Sequence, residues 1–295
     1  MNFVRSYPPP TTASSPGYST HTTGQRFSLS MVLFKDITIL FIVYLPCSVF
    51  CRLIISEYEA LRKFYVAFNG EFWTWPSPEN SSTSQNLSII RKWNFTDGSD
   101  PCIYNDTIDY EYSWYGLSCS TTAQTNQKTQ KIIRISLFKT NLTGLFNNIP
   151  ETLYSLKSLR GLTLSECNIF GSIFPSISKL ESLQLLCLRG NYLTGGLDNL
   201  LSLPSLTVIN VADNSFGGII PQNFGDKFLN LTYLSLRNNS FIGRIDNVIK
   251  NLTRLGHLDI ATNSFSGTLP TQIGTDSLTP IFLIYYTPSF IPTPK

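Results

Sequence analysis

Hydrophobic and polar positions follow a short pattern along the second half of the chain, and this pattern recurs. Each copy reads L-x-L-x-x-N-x-L-x-G, where L is a large apolar residue, as in LCLRGNYLTG from Leu186 to Gly195. Six copies follow one another, and their second apolar positions are 23 to 27 residues apart. Such a period predicts a stack of similar coils, each of which buries its apolar side against the next. The six positions are Leu137, Leu164, Leu188, Val211, Leu236 and Ile260.

The L-x-L step has a period of two, which predicts a short strand with its L residues inward and its x residues outward. The residue at the Asn position falls where the chain leaves the strand. Its side chain is therefore expected to bond turn backbone that would otherwise be buried unpaired. Stacked copies would form an asparagine ladder, in which a hydroxyl or a thiol replaces the amide in two coils. Its predicted members are Thr140, Cys167, Asn191, Asn214, Asn239 and Asn263.

The repeat resembles the plant-type extracellular leucine-rich repeat family, whose unit is L-x-x-L-x-x-L-x-L-x-x-N-x-L-x-G-x-I-P over about 24 residues. The resemblance covers residues 131–274. It implies an α/β solenoid, a right-handed leucine-rich repeat superhelix with a parallel concave sheet and a helical N-terminal cap. It also implies recognition of a peptide, a glycan or another ectodomain, as in receptor-like protein ectodomains and polygalacturonase-inhibitor-like proteins.

Residues 52–130 resemble the N-terminal cap of the same family. Ser56 and Glu59 have the spacing of a capping box, and apolar residues follow at helical spacing, so a helix is predicted from Ser56 to about Gly70. The family cap combines an E-x-x-A-L helix and a Trp with a later P-C-x-W-x-G-V-x-C segment. The matching residues here are Glu57, Ala60, Leu61, Trp93, Pro101, Cys102, Trp114, Gly116 and Cys119.

Four cysteines follow residue 51. The resemblance implies a disulfide between Cys102 and Cys119, whose spacing is unlike that of a zinc site. Cys167 has a ladder position, whereas Cys187 has an outward position in the next coil. We therefore expect these two to be free thiols.

The two ends of the chain lack the repeat. Residues 1–30 are rich in Pro, Ser and Thr and are interpreted as disordered or as an extension upstream of a true start at Met31. Residues 31–51 contain an uninterrupted run of 15 uncharged residues, from Ile37 to Cys51. That length is typical of a cleaved signal peptide, with an uncleaved signal anchor as the alternative. Residues 275–295 are interpreted as a degenerate repeat or a truncated tail.

Eight N-glycosylation sequons lie after the apolar segment and none before it, which favours a secreted chain. Their asparagines are Asn80, Asn86, Asn94, Asn105, Asn141, Asn230, Asn238 and Asn251.

Composition and motifs argue against several classes of function. The chain has 22 Lys and Arg against 19 Asp and Glu, a net charge of +3, and no basic cluster suited to a nucleic acid. It has two histidines, and we find no nucleotide-binding, serine-hydrolase or zinc-protease motif. We therefore expect neither catalysis nor a cofactor or a metal site, and no nucleic-acid partner.

The outward x residues of the strands are the candidate contact surface, because aromatic and Arg side chains on a rigid sheet suit recognition. Several of them are expected to cluster toward one half of the sheet. The candidate ligand-binding residues are Arg134, Phe138, Arg189, Tyr233, Arg237, His257 and Asp259.

The sequence therefore predicts a secreted or cell-surface binding protein that recognises a protein, peptide or glycan ligand through its concave face. The alternative is a membrane-anchored receptor-like fragment in signalling or defence at the plasma membrane. A membrane is a partner only if the N-terminal segment stays uncleaved, and a co-receptor is a second candidate partner. A purely structural wall protein is a further alternative.

Overall fold

The predicted L-x-L steps form strands that lie side by side in one sheet. The computed structural model describes residues 52–75, 92–97, 100–103, 112–124, 127–276 and 282–284. The inward residues of neighbouring coils share one register, which confirms the predicted row of anchors. Each anchor is 0% exposed, as expected for coils that share one interior. The row runs through Leu137, Leu164, Leu188, Val211, Leu236 and Ile260.

Two larger sheets and one small sheet organise the described residues. The main, concave sheet has nine strands, all parallel to their neighbours except β4, and the second sheet has six parallel strands. The small sheet pairs β2 with β3 antiparallel. In chain order the strands are β1 (Arg52–Leu53), β2 (Cys102–Ile103), β3 (Tyr112–Ser113), β4 (Leu117–Gln124), β5 (Gln127–Phe138), β6 (Gly144–Leu145), β7 (Gly161–Ser165), β8 (Ile169–Ser172), β9 (Leu185–Cys187), β10 (Tyr192–Gly195), β11 (Val208–Asn210), β12 (Ser215–Ile219), β13 (Tyr233–Ser235), β14 (Ser240–Arg244), β15 (His257–Asp259), β16 (Ser264–Ser266) and β17 (Phe282–Ile284). The main sheet contains β1, β4, β5 and the odd-numbered strands from β7 to β17, and the second contains the even-numbered strands from β6 to β16.

The second sheet begins just after the ladder position of each coil. The apolar residue two positions beyond the ladder residue points into the core, and in the last three coils it is a phenylalanine. Phe216 and Phe241 stack with their ring centroids 6.4 Å apart, and Phe241 and Phe265 with theirs 6.0 Å apart. Short helical turns then complete the coils. They are α2 (Phe224–Lys227), α3 (Asp246–Ile249) and 3-10 turns at Phe146–Asn148, Leu153–Ser155, Pro175–Lys179 and Asp198–Ser202.

The cap begins with helix α1 (Ile55–Ala67), and a 3-10 turn follows at Gly70–Phe72. The predicted capping box at Ser56 is wrong, because Ser56 lies inside the first turn. Ile54 precedes the helix with extended backbone and makes no side-chain capping bond. The chain passes directly from β1 into α1, so the backbone carbonyl of Ile54 accepts from the N–H groups of Glu57 and Tyr58.

A hairpin covers the open edge of the first coil. Strand β4 pairs antiparallel with β5 on one side, while β7 pairs with β5 on the other. The boundary predicted between residues 130 and 131 therefore falls inside β5. Cys102 and Cys119 form the disulfide that the resemblance implies, and it links β2 to β4. Three buried tryptophans, Trp73, Trp93 and Trp114, pack together beside it.

The two ends of the chain are described only in part. Residues 1–51, with the predicted signal segment 31–51, lie outside the described residues, as does most of 275–295. Within that last stretch, β17 adds a further parallel strand beside β15. In the part of the chain that the structure describes, no helix has the length and apolar character needed to cross a bilayer.

Candidate binding face

The register of the main sheet arranges the outward residues in three rows that run across the strands. The first row includes Leu185, Val208, Tyr233 and His257 on successive strands from β9 to β15. The second row, two residues further along each strand, includes Cys187, Asn210, Ser235 and Asp259. The third row lies just past the strands and includes Arg189, Ala212, Arg237 and Ala261. The candidate contact residues of these four coils therefore lie on one surface.

Tyr233 and His257 form a tight aromatic pair in the first row. Their ring centroids are 4.2 Å apart and their planes differ by 2°. Because neighbouring strands lie about 4.8 Å apart, the two rings must stand face to face across the strands. The two rings therefore cover each other's facing surfaces.

The titration behaviour of this pair reflects partial burial. Burial raises the pKa of Tyr233, and the charge of Asp259 acts in the same direction. Burial lowers the pKa of His257, while the charge of Asp259 opposes that shift. Both shifts favour the uncharged forms of the two rings near neutral pH.

Asp259 differs from its predicted role as an open contact. It has an outward position, yet it is 6% exposed. Its Oδ1 accepts a hydrogen bond from the backbone N–H of Ala261 at 3.1 Å, and its Oδ2 lies 4.0 Å from the Arg237 guanidinium. The carboxylate therefore forms part of the floor of the surface and places negative charge beneath Arg237.

One residue that strand alternation does not single out, Asp213, organises the third row. Asp213, one position past the predicted outward residues of its coil, accepts from Arg189 Nε at 2.8 Å and from Asn238 Nδ2 at 3.1 Å. Its hydrogen bond and charge raise the pKa of Arg189. Asp213 thus connects three successive coils along one rim of the sheet. Its polar side chain directly before a ladder asparagine is the sequence signal that could have identified it.

Arg134 and Phe138 lie at the other end of the sheet, on β5, and do not join this cluster. The Arg134 stem lies over Gly161, where an added Cβ would come within 3.1 Å of it. Phe138 is 44% exposed, and the ammonium of Lys139 lies 5.0 Å from its ring centroid. These two residues form a separate patch near the cap.

The asparagine ladder lies beneath the third row. Asn191 shows the pattern: its Oδ1 accepts from the N–H groups of Cys167 and Ile169, and its Nδ2 donates to the carbonyls of Leu164 and Leu188. Asn214, Asn239 and Asn263 repeat this arrangement in the following coils.

Cys167 and Thr140 keep a smaller share of these bonds. The Cys167 thiol donates to the carbonyls of Leu137 and Ser165 and contacts the Thr140 hydroxyl at 3.4 Å. Burial raises the pKa of Cys167. Cys187 lies in the second row, 3.2 Å from the Ser165 hydroxyl, and both thiols are free as predicted.

Five of the eight sequon asparagines are described, and their side-chain amides differ in surroundings. The Nδ2 groups of Asn94, Asn238 and Asn251 each donate to an aspartate. Asn141 and Asn230 use Oδ1 as an acceptor instead. Asn80, Asn86 and Asn105 lie outside the described residues. Within the described ranges, no three His, Cys, Asp or Glu side chains come together as a metal site would require.

Comparison with known proteins identifies the repeat. The Leucine Rich Repeat family matches residues 158–180, 205–226 and 230–252. Phytosulfokine receptor 1 of Arabidopsis thaliana is 29% identical over 240 residues, which cover 71% of this chain and 22% of that protein. Receptor-like protein 41 of the same plant is 35% identical over 143 residues, 47% of this chain and 16% of that protein. The chain therefore spans about a fifth of the length of these relatives.

Among solved structures, this chain is similar to the Arabidopsis receptor kinase HAESA, whose crystal structure holds the peptide hormone IDA and the co-receptor SERK1. The two are 29% identical, with a TM-score of 0.46, over 53% of this chain and 26% of that one. The repeat register, the ladder and the family match together show that this part of the chain is built of leucine-rich repeats similar to those of plant receptors and receptor-like proteins.

Proposed function

We propose that this chain binds an extended peptide, either free or as a segment of a protein, across the concave face of coils three to six, the coils that contribute β9, β11, β13 and β15 to the main sheet. The observation that carries the proposal is a difference in solvent exposure among the outward residues of β13 and β15 and the arginine just past β13. Tyr233 and His257 are partly exposed and Arg237 is exposed, whereas Ser235 and Asp259 between them are only 3% and 6% exposed. The first and third rows are four residues apart, or about 13 Å along a strand. A shallow groove of that width suits a single extended chain.

The chemistry of the groove favours a peptide over a glycan. Sugar rings commonly pack on the open faces of aromatic rings, but Tyr233 and His257 cover each other's inner faces. The Tyr233 hydroxyl, the Arg237 guanidinium and the Asn210 Nδ2 group instead suit hydrogen bonds to amide and carboxylate groups. Leu185 and Val208 extend the first row as an apolar strip for a ligand side chain.

The role proposed is binding without catalysis, in the extracellular space or at the cell surface. The eight sequons and the disulfide support an oxidising secretory compartment. The relatives named above are a receptor and a receptor-like protein, which supports a role in perception. Secreted and tethered forms are separated by carbonate extraction of cells that express the full chain, since only a tethered form stays with the membrane.

The binding proposal is tested with two probes on the immobilised full-length chain: a displayed random peptide library and a glycan array. We expect the library to yield binders whose affinity falls at least roughly tenfold in the double variant Tyr233→Ala with Arg237→Ala, since such side chains dominate binding energy. The matched control carries Tyr192→Ala on β10 and Arg62→Ala on α1, both exposed and away from the concave face. Binders that depend equally on both variants, or hits on the glycan array alone, would refute the proposal.

A further inference from the structure

The junction between the cap and the first coil contains an irregularity in strand β5. On β4, Ser118 pairs with Arg134 and the next residue, Cys119, pairs with Ile132, so Ile133 has no partner there. This extra residue is a β-bulge. Across it, successive inward side chains are three residues apart instead of two. Gln130 and Ile132 point inward before the bulge, and Ile135 points inward after it.

The other edge of β5 has a gap at the same place. Strand β1 pairs with β5 through Gln130, and β7 begins its pairing at Arg134. The backbone of residues 131–133 therefore faces no strand on this edge. Buried N–H and C=O groups need partners, so the gap has to be filled by other means.

Glu57 of helix α1 fills this gap. Its Oε2 accepts a hydrogen bond from the backbone N–H of Ile132 at 2.7 Å, and the Arg160 N–H donates to the carbonyl of Ile133 at 2.8 Å. Glu57 is 8% exposed. The carboxylate thus occupies the place of the strand carbonyl that is missing, and it ties the cap helix to the sheet.

The surroundings of Glu57 favour a neutral side chain. Burial raises the pKa of this carboxyl, against the smaller opposing effects of the Ile132 hydrogen bond and the charge of Lys131. Tyr154, on the 3-10 turn that packs against α1, has its pKa raised by burial and stays neutral. Asp100 accepts from the N–H groups of Leu53 and Cys102 at the end of β1.

The hydrogen bond to Ile132 is compatible with proton uptake. A protonated carboxyl keeps a carbonyl oxygen that accepts from the Ile132 N–H, so a proton removes the buried charge of Glu57 and leaves that hydrogen bond in place.

We propose that Glu57 is a proton-responsive clasp, which holds the cap more tightly to the first coil when its carboxyl takes up a proton. The direction of the pH effect follows from the linkage between proton binding and folding. Because the folded chain has the higher pKa, this stabilisation is complete below the unfolded value of 4.5 and is lost as the pH rises through the folded value.

The test uses the full-length chain and tryptophan fluorescence. All four tryptophans lie between residues 73 and 114, so their emission reports on the cap. Denaturant unfolding is followed at pH 7.5 and pH 5 for the wild type and for Glu57→Gln, whose amide keeps an acceptor and adds a donor without charge. Glu59→Gln, an exposed change on the same helix, is the matched control.

For each protein we take the ratio of the cap's folding equilibrium constant at pH 5 to that at pH 7.5. We expect this ratio to be at least roughly threefold larger in the wild type than in Glu57→Gln. Glu59→Gln should behave as the wild type does. Equal pH dependence in the wild type and Glu57→Gln would overturn the proposal. If Glu57→Gln does not fold, hydrogen exchange of the Ile132 amide in the wild type, corrected for the intrinsic pH effect, decides: greater protection at pH 5 supports the clasp, and lesser protection refutes it.

Discussion

Burial and the charge of Asp259 act in opposite directions on the protonation of His257, which stacks on Tyr233. Burial disfavours the imidazolium, so His257 titrates below its ordinary pKa of 6.5, although the nearby Asp259 carboxylate pulls in the opposite direction. Above pH 6.5 the ring is neutral in both the folded and the unfolded chain. As the pH falls below that value, the unfolded chain takes up the proton first, and the contribution of His257 to stability declines.

An NMR titration checks this account directly. The chain has two histidines, His21 and His257, so few imidazole signals need assignment. We expect the His257 signal to titrate with a midpoint below 6.5 and to move lower still in Asp259→Asn, which removes the charge that raises the pKa but keeps an Oδ1 acceptor for Ala261. Asp213→Asn should leave the midpoint in place. A higher midpoint in Asp259→Asn would contradict the assignment of the two effects.

For single residues, the sequence predicts the side of the sheet on which a side chain lies better than it predicts how deeply that side chain is buried. Period-two alternation correctly places Tyr233, Arg237 and His257 on the outer side of the sheet. It does not show that Asp259 turns down onto its own backbone, because that bond depends on the turn that follows the strand. Asp213 was missed because its backbone turns into the left-handed region (φ 55°) just past the strand. Aspartate tolerates that conformation, so its rim position follows from turn chemistry and not from strand alternation.

At the scale of elements, the cap consists of helix α1 and of a hairpin that a disulfide links to β2. The Cys102–Cys119 bond closes a segment of 17 residues and fixes β2 against β4, which in turn covers the exposed edge of β5. The double variant Cys102→Ser with Cys119→Ser should therefore destabilise the cap by about 3 kcal/mol, the value expected for a loop of this length. Tryptophan fluorescence during denaturant unfolding measures the loss.

The matched control for the disulfide variant is Cys187→Ser, which removes a free thiol from the concave face. It should leave the unfolding midpoint of the cap unchanged within about 0.5 kcal/mol. A cap that unfolds at the same denaturant concentration with and without the disulfide would show that the aromatic cluster alone sets its stability.

The repeated strands could be predicted from sequence because each L-x-L step carries its own two-residue period. Strand β4 and the bulge at Ile133 could not, since the segment from Ser120 to Lys128 is polar apart from Ala123 and has no alternation of apolar and polar residues. The start of α1 was misplaced for a related reason. A capping box is a local signal, and here β1 leads into the helix from Ile54, which leaves Ser56 inside the first turn.

For the molecule as a whole, stability is shared between neighbouring coils. The anchors from Leu137 to Ile260 form one buried row, and the phenylalanine stack behind the second sheet forms another. Each coil contacts chiefly its immediate neighbours, so the free energy of unfolding is approximately a sum of coil and interface contributions. A defect in a middle coil should then weaken the connection between the cap and the coils that follow the defect.

Leu188→Ala tests this coupling, because Leu188 is fully buried in the third coil, between the cap and the Tyr233–His257 pair. The cavity should cost about 2–5 kcal/mol. We expect tryptophan fluorescence, which reports on the cap, and far-ultraviolet circular dichroism, which reports on all coils, to give coincident transitions in the wild type and separate ones in Leu188→Ala. Leu188→Met, which nearly conserves volume, should cost less than about 1.5 kcal/mol and keep the transitions together. Coincident transitions in Leu188→Ala at a lower midpoint would show instead that cap and coils unfold as one unit.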